Sequence, residues 1–362
     1  MKGKIYNYFP GGNTSKGFYS FYKYIIRQEE AQRIICIKGG PGTGKSSLMK
    51  KVGHFFNDKG YDIEMHHCSS DNNSLDGIVI KGLNVAILDG TAPHVVDPVN
   101  PGAVDEVLNM GEHWNEEGFK VSRDKIIETN KQIGATFQSA YRYLGAAKLV
   151  HDDWENQINS ALIYEKINVL EKELINKILL SSIPRVGFQR HLFATAFTPE
   201  GIVTFIDTLL ENYDNIYVLN GVPGTEKSRI LSSISNTTSK NGFDVEVYHQ
   251  PLIPEKIEHI LIPGISTAIV TSNEINNMTF SGNQIYMENF IQVNKSNYSK
   301  DRILDTKNNF NFLIIKAIDL ISSAKKLHDQ LETHYVPNMN FKELDIVYDN
   351  LIDKISKYEK NV

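Results

Sequence analysis

The apolar residues change period several times along the chain, and each change marks an element. Arg33-Ile34-Ile35-Cys36-Ile37 is a short β-branched run of the kind buried in a parallel sheet. From Lys45 to Phe56 the apolar positions Leu48, Met49, Val52, Phe55 and Phe56 fall at helical spacing. Tyr61 to His67 alternates as a second strand, and Leu83 to Leu88 forms a third that runs into Asp89-Gly90-Thr91. Another short strand is expected between Pro101 and Met110. Strands separated by helical crossovers predict an α/β fold with a parallel, three-layer sheet. From Arg123 to Leu180 the period becomes helical, with Ala140, Leu144, Ala147, Leu149, Ile158, Leu162, Ile167, Leu170, Leu174 and Ile178 spread over two stretches. These predict an arm built as an antiparallel helical hairpin.

The whole pattern occurs twice. Ile34 to His67 lies on Ile216 to His249 without a gap, at a constant offset of 182. Within it Gly60-Tyr61-Asp62-Ile63-Glu64 falls on Gly242-Phe243-Asp244-Val245-Glu246, and beyond it Gly82 falls on Gly264. The arm repeats at an offset of 177, with His151-Asp152 and Glu155 answering to His328-Asp329 and Glu332. The expected division is a unit at 1–182 with its arm at 122–182, and a unit at 183–362 with its arm at 302–360. Asn13-Thr14-Ser15-Lys16-Gly17-Phe18 and Thr198-Pro199-Glu200-Gly201-Ile202 open the two halves. Each is expected to precede a helix, with Thr14 and Ser15 as caps and Thr198 an N-cap before proline at the first helical position.

Between the first strand and the first helix, Gly39-Gly40-Pro41-Gly42-Thr43-Gly44-Lys45-Ser46 fits G-x-x-x-x-G-K-[ST]. Glycines let the backbone bend so that several N–H groups converge on one anion, and the helix start adds its positive end. The predicted nucleotide contacts are Gly39, Gly40, Pro41, Gly42, Thr43, Gly44, Lys45, Ser46 and the adjacent Ser47. Lys45 would neutralise the β and γ phosphates, and the Ser46 hydroxyl would take one position on Mg²⁺. Asp89, at the end of an apolar strand, is the expected second support for that Mg²⁺, and Asp71 and His94 are the candidates for orienting water.

The second half replaces this chemistry while keeping its apolar skeleton. Its loop reads Gly221-Val222-Pro223-Gly224-Thr225-Glu226-Lys227-Ser228, with Glu226 in place of Gly44 and in reach of an ion pair with Lys227. Thr271 stands for Asp89, Ile253 for Asp71 and Lys256 for Ser74. The second unit is therefore expected to be degenerate and mainly structural. The His-Asp-x-x-Glu sets place three possible ligands on one helix, which is not a metal site. They are read as a solvated face or an interhelix hydrogen bond.

Composition narrows the class. A net charge of −5 leaves no electrostatic footprint for nucleic acid, and two cysteines exclude a disulfide scaffold or a cysteine-rich metal site. There is no run of 18 apolar residues and no apolar signal core near Met1, so a cytoplasmic protein without a membrane partner is expected.

The chain resembles a family of bacterial proteins made of two tandem P-loop ATPase-like domains. The resemblance is carried by Gly11-Gly12-Asn13-Thr14-Ser15-Lys16-Gly17-Phe18-Tyr19-Ser20, the first glycine loop, Cys68-Ser69-Ser70-Asp71 with Ser74-Leu75-Asp76-Gly77, and Asp89-Gly90-Thr91-Ala92-Pro93-His94-Val95-Val96-Asp97-Pro98. It covers essentially the whole chain, implies ATP binding, and is broken at Glu226. The leading expectation is an ATP-binding protein with Mg²⁺-dependent ATPase activity in the first unit, acting on a protein or small-molecule partner. One alternative is a small-molecule or nucleoside kinase using Asp71 or Asp89 with Arg123 or Arg142. The other is a non-hydrolysing, ATP-dependent assembly protein. No Asn-Lys-x-Asp guanine-reading tetrad follows the third strand.

Overall fold

The computed structural model describes residues 1–92, 96–292 and 299–361. The first half runs β1 (Ile5–Tyr8), β2 (Gly11–Thr14), β3 (Gly17–Ser20), β4 (Arg33–Lys38), α1 (Lys45–Asp58), β5 (Ile63–Cys68), β6 (Asp71–Ile80), β7 (Val85–Asp89), β8 (Asp105–Asn109), α2 (Glu116–Phe119), α3 (Arg123–Asn159) and α4 (Tyr164–Ile178). The second runs β9 (Gln189–Leu192), β10 (Thr195–Thr198), β11 (Gly201–Thr204), α5 (Ile206–Leu210), β12 (Asn215–Asn220), α6 (Lys227–Lys240), β13 (Val245–His249), β14 (Ile257–Ile262), β15 (Thr267–Ser272), β16 (Asn283–Tyr286), α7 (Lys300–Tyr335) and α8 (Phe341–Ser356).

Each half builds a six-stranded sheet, ordered β1-β5-β6-β7-β4-β8 in the first and β16-β12-β15-β14-β13-β9 in the second. Most strands are parallel, but β6 and β14 run against both neighbours. The expected all-parallel sheet is thus a mixed one. The cause is local: Asp71 to Ser74, polar enough to resemble a loop, open a strand whose apolar part, Leu75 to Ile80, is buried between β5 and β7. Consecutive hairpins therefore replace a helical crossover between β5 and β7.

The segments expected to cap helices are hairpins instead. Thr14 pairs with Gly17 and Thr198 with Gly201, and each threonine hydroxyl donates to its glycine carbonyl, at 2.8 and 3.0 Å. Gly17 and Gly201 both have positive φ. Pro199 therefore occupies a turn, where its fixed φ is equally suited. Phe9 and Phe193, both fully buried, exchange backbone hydrogen bonds of 3.0 Å in both directions, joining the halves at equivalent residues.

The sheets bury one face under helices. Ile35, Ile37, Ile78 and Ile87 pack with Met49, Val52 and Phe56 of α1, all fully buried. Each such side chain contributes roughly 1.5–3 kcal/mol. The same core takes in Met339, Leu344, Leu351 and Ile355 from the end of the chain. In the second half, Ile167, Leu174 and Ile178 of α4 join the core formed by α6 and its sheet.

The arms are therefore exchanged. The turn joining α3 to α4 is clipped to the second unit by Ile163 N–H to Phe290 O at 2.9 Å and Gln292 N–H to Ala161 O at 2.7 Å. The turn after α7 is clipped to the first unit by Asn115 N–H to Asn338 O and Asn340 N–H to His113 O, both 2.8 Å. The long helices α3 and α7 pack together, sharing a cluster that includes Leu144, Ala147, Phe310, Ile314 and Ile321. The hairpin expected within each arm is replaced by packing between halves: α3 on α7, α4 on α6 and α8 on α1. No helix among the described residues is long and apolar enough to cross a membrane.

Candidate functional site

The 39–46 loop leaves β4 at the carboxyl edge of its sheet, where β7 also ends. Gly44 closes the loop at φ 86°, a left-handed conformation that glycine adopts without cost. The Lys45 ammonium then folds over the loop and donates to Gly39 O and Gly40 O, both at 2.9 Å. Asp89 Oδ2 lies 3.6 Å from it, with both side chains mostly buried. The other Asp89 oxygen accepts from Thr91 N–H at 2.8 Å, and Thr91 Oγ1 donates to Gly39 O at 2.9 Å, tying the end of β7 to the loop. Ser46 Oγ accepts from Leu75 N–H at 3.0 Å. Thr43 Oγ1 donates to Gly40 O at 2.8 Å, and Ser47 is exposed on the first turn of α1.

Lys45 and Asp89 are thus brought together, and Ser46, next in the chain, holds its hydroxyl on β6. Asp71 opens β6 four residues before Leu75, accepts from Ser74 Oγ at 2.8 Å and faces Lys325 of α7 at 3.5 Å. His94 lies outside the described residues. Arg123 bonds Asp124, and Arg142 bonds Ser139, each within its own helix.

The exchanged arm presses on this loop. A Cβ at Gly40 would sit 2.6 Å from Cε1 of Tyr335, and one at Gly42 would sit 2.9 Å from Cγ2 of Val336. Trp114 and Phe119 hold the Tyr335 ring from the other side. Above it, His328 Nδ1 is 3.7 Å from Glu332, and Lys325 pairs with Asp329. Burial lowers the His328 pKa. Burial also opposes the Lys325 charge, but the Asp329 and Asp71 carboxylates outweigh it and raise its pKa.

The second loop has the same shape. Lys227 donates to Gly221 O at 2.6 Å and Val222 O at 2.8 Å, Thr225 Oγ1 to Val222 O at 2.8 Å, and Ser228 Oγ accepts from Ile257 N–H at 2.8 Å. Glu226 occupies the Gly44 position at φ 66°. Its carboxylate does not pair with Lys227 as the sequence suggested. One oxygen accepts from Asn159 Nδ2 at 2.8 Å and the other from Arg229 Nε at 2.7 Å, which turns the charge away from the loop interior.

A cavity of about 850 Å³ opens beside this second loop, walled by α3 on one side and by β13, β14 and the segment after β15 on the other. His151 Nε2 bonds Glu274 Oε1 at 2.7 Å, and Glu155 pairs with Lys256. Burial alone would raise the Glu274 pKa, but the imidazole bonded to it lowers it. Burial lowers the Lys227 pKa and raises Glu258 to about 7.

The arm residues are what the sequence reading undervalued. His151 is buried, not part of a solvated face, and its partner comes from the other half. The signal was present in the repetition of His-Asp-x-x-Glu in both arms. Ligand atoms in each set lie within 4.8 Å of one another, but Lys148 and Lys325 pair with the aspartates and Lys256 with Glu155, so these carboxylates already have cations. Compared with family models, with curated proteins and with solved structures, the chain finds a match in none of the three.

Proposed function

We propose that the protein binds ATP through the 39–46 loop and hydrolyses it with Mg²⁺, the first unit being a P-loop NTPase domain and the second a relative without the hydrolytic carboxylate. The observation that carries this reading is the meeting of Lys45 and Asp89, with Ser46 next in the chain, on one glycine loop at the start of a 14-residue helix. Main-chain amides and the helix start hold the phosphates, and Lys45 leaves the carbonyls of Gly39 and Gly40 to neutralise the γ-phosphate. The Ser46 hydroxyl and the Asp89 carboxylate are hard oxygen donors of the kind that suits Mg²⁺ and would be its supports. When bound, the ion neutralises charge on the β and γ oxygens. Asp71, held by Ser74 and Lys325, would orient water.

In this reading Lys325, Glu332 and Tyr335 make the site a shared one, completed by the other half of the chain. Nucleotide turnover would then move the α7 arm. Phosphate release from ATP, with and without Mg²⁺, tests the activity in the parent and in Lys45→Ala. Release that needs Mg²⁺ and is lost in the variant supports it. Release dependent on an added nucleoside would support the kinase reading, and tight binding without release would support ATP as an assembly ligand.

A further inference from the structure

The cavity beside the second loop is itself built as a ligand site. Its volume of about 850 Å³ falls within the range of small-molecule pockets, roughly 300–1,000 Å³. Gln250 Oε1 in its wall has no hydrogen-bond partner among the described residues, although the residue is only 8% exposed, and His151 Nδ1, on a residue 1% exposed, has no hydrogen bond and only Glu155 Oε1 at 3.7 Å. An unpaired buried polar atom costs about 1–3 kcal/mol, so such atoms in one cavity wall indicate a partner that comes from outside.

The two ends of the cavity ask for different chemistry. At the loop end stand the first turn of α6, the Ser228 hydroxyl and the Lys227 ammonium, with Lys256 on the rim. This is a donor-rich end suited to a phosphate. The opposite wall presents acceptors, Gln250 Oε1 and the carboxylate of Glu274, with His151 Nδ1 facing Glu155 Oε1 at 3.7 Å. Acceptors there require hydroxyl or amino hydrogens on the ligand. Among the described residues that line the cavity, Thr271 holds the position of Asp89 and each carboxylate already has a partner: Glu274 is engaged by His151, Glu155 by Lys256, Glu226 by Arg229, Glu255 by Lys16, and Glu258 by Asn273 and Asn276.

We infer that this cavity takes a phosphate ester of nucleoside-phosphate size, bearing hydroxyl or amino donors, and holds it without a divalent cation. His151 belongs to α3 of the first half, so the ligand bridges the two halves of the chain. The assignment rests on the same reading of the glycine loop as a phosphate cradle, but it concerns a separate site that needs neither Lys45 nor Mg²⁺.

Isothermal titration of the full chain in EDTA with AMP, ADP, ATP, ribose 5-phosphate and inorganic phosphate tests it. The expected result is that at least one ester binds at one per chain and at least tenfold more tightly than inorganic phosphate. Binding should persist in Lys45→Ala and fall at least tenfold in Lys227→Met. Should Lys227→Met prove unfolded by circular dichroism, Gln250→Leu is read in its place, with a several-fold loss expected. No binding of any ester in EDTA, esters no tighter than phosphate, or binding lost in Lys45→Ala but kept in Lys227→Met would overturn it. Because the persistence of binding in Lys45→Ala is read without Mg²⁺, a failure of the ATPase proposal leaves this result interpretable.

Discussion

Asn159, at the end of the first long helix, donates through Nδ2 to Oε1 of Glu226 in the second glycine loop at 2.8 Å. The bond joins opposite halves of a duplicated chain at one of the two positions where the loops differ in sequence, the other being Gly40 against Val222. Glu226 adopts the left-handed conformation that Gly44 adopts in the first loop, φ 66° against 86°. A non-glycine residue there costs roughly 1–2 kcal/mol, and the bonds from Asn159 and Arg229 offset it.

Gly44→Ala introduces that cost without the compensating bonds. Its Cβ would lie 3.4 Å from Leu344, so the space is adequate and backbone strain dominates. A loss of about 1 kcal/mol is expected, seen as a Tm lower by roughly 1–2 °C. Glu226→Gly relieves the strain and forfeits the bonds, and should change stability by less.

Gly224→Ala tests the exchange of arms. The added Cβ would meet the carbonyl oxygen of Glu155 at 2.3 Å, and backbone atoms of a long helix cannot step aside cheaply. Overpacking costs typically about 1–3 kcal/mol, and the positive φ of Gly224 adds strain. Urea unfolding should report at least the larger figure, and limited proteolysis should show faster cleavage near 155–165 as the helix end lifts.

Glu64, only 3% exposed, is held between the halves by Arg190, with Nη1 to Oε1 at 2.9 Å and Nη2 to Oε2 at 2.5 Å. Burial pushes the Glu64 pKa up, but Arg190 and His66 override it and hold it well below the ordinary carboxylate range. Its pairing therefore adds stability above the unfolded pKa, about 4.3, which is lost as pH falls through the folded value. Arg190→Met strands the carboxylate and should cost about 3–5 kcal/mol at pH 7. Without the guanidinium, burial is opposed only by His66 and Lys81 and the folded pKa moves up, so the deficit against the parent should shrink below about pH 4.

Glu258 is the opposite case. Burial raises it to about 7, so its contribution is fully present below the unfolded pKa of about 4.3 and is lost as pH rises toward 7. Glu258→Gln keeps an acceptor for Asn273 and Asn276, which bond Oε1 at 2.9 Å, and removes the titration. Between pH 4 and 8 the variant should lose stability less steeply than the parent, by on the order of 3 kcal/mol in denaturant titrations.

What could be read from the chain was local. The run Ile34–Ile37 and the spacing of Leu48, Met49, Val52 and Phe56 marked β4 and α1, because each buries a face whose period is set by its own geometry. The repeat located the second loop for the same reason. β6 was hidden because Asp71 to Ser74 are partly exposed and polar, and the hairpins at 14–17 and 198–201 were hidden because a threonine before a turn resembles a helix cap. The crossing of the arms had no local signal. Apolar positions on α4 and α8 show which face is buried, but not that the covering helix belongs to the other half. His151 was misjudged on that account, since its partner Glu274 is 123 residues away.

The most direct test of the central claim is a crystal structure of the full chain with AMP-PNP and Mn²⁺, using the anomalous signal of manganese. The account predicts triphosphate oxygens on the amides of residues 42–46, Lys45 on the γ-phosphate, and manganese beside Ser46 and Asp89. Manganese and triphosphate seated at Lys227 and Ser228 while the 39–46 loop stays bare would contradict it.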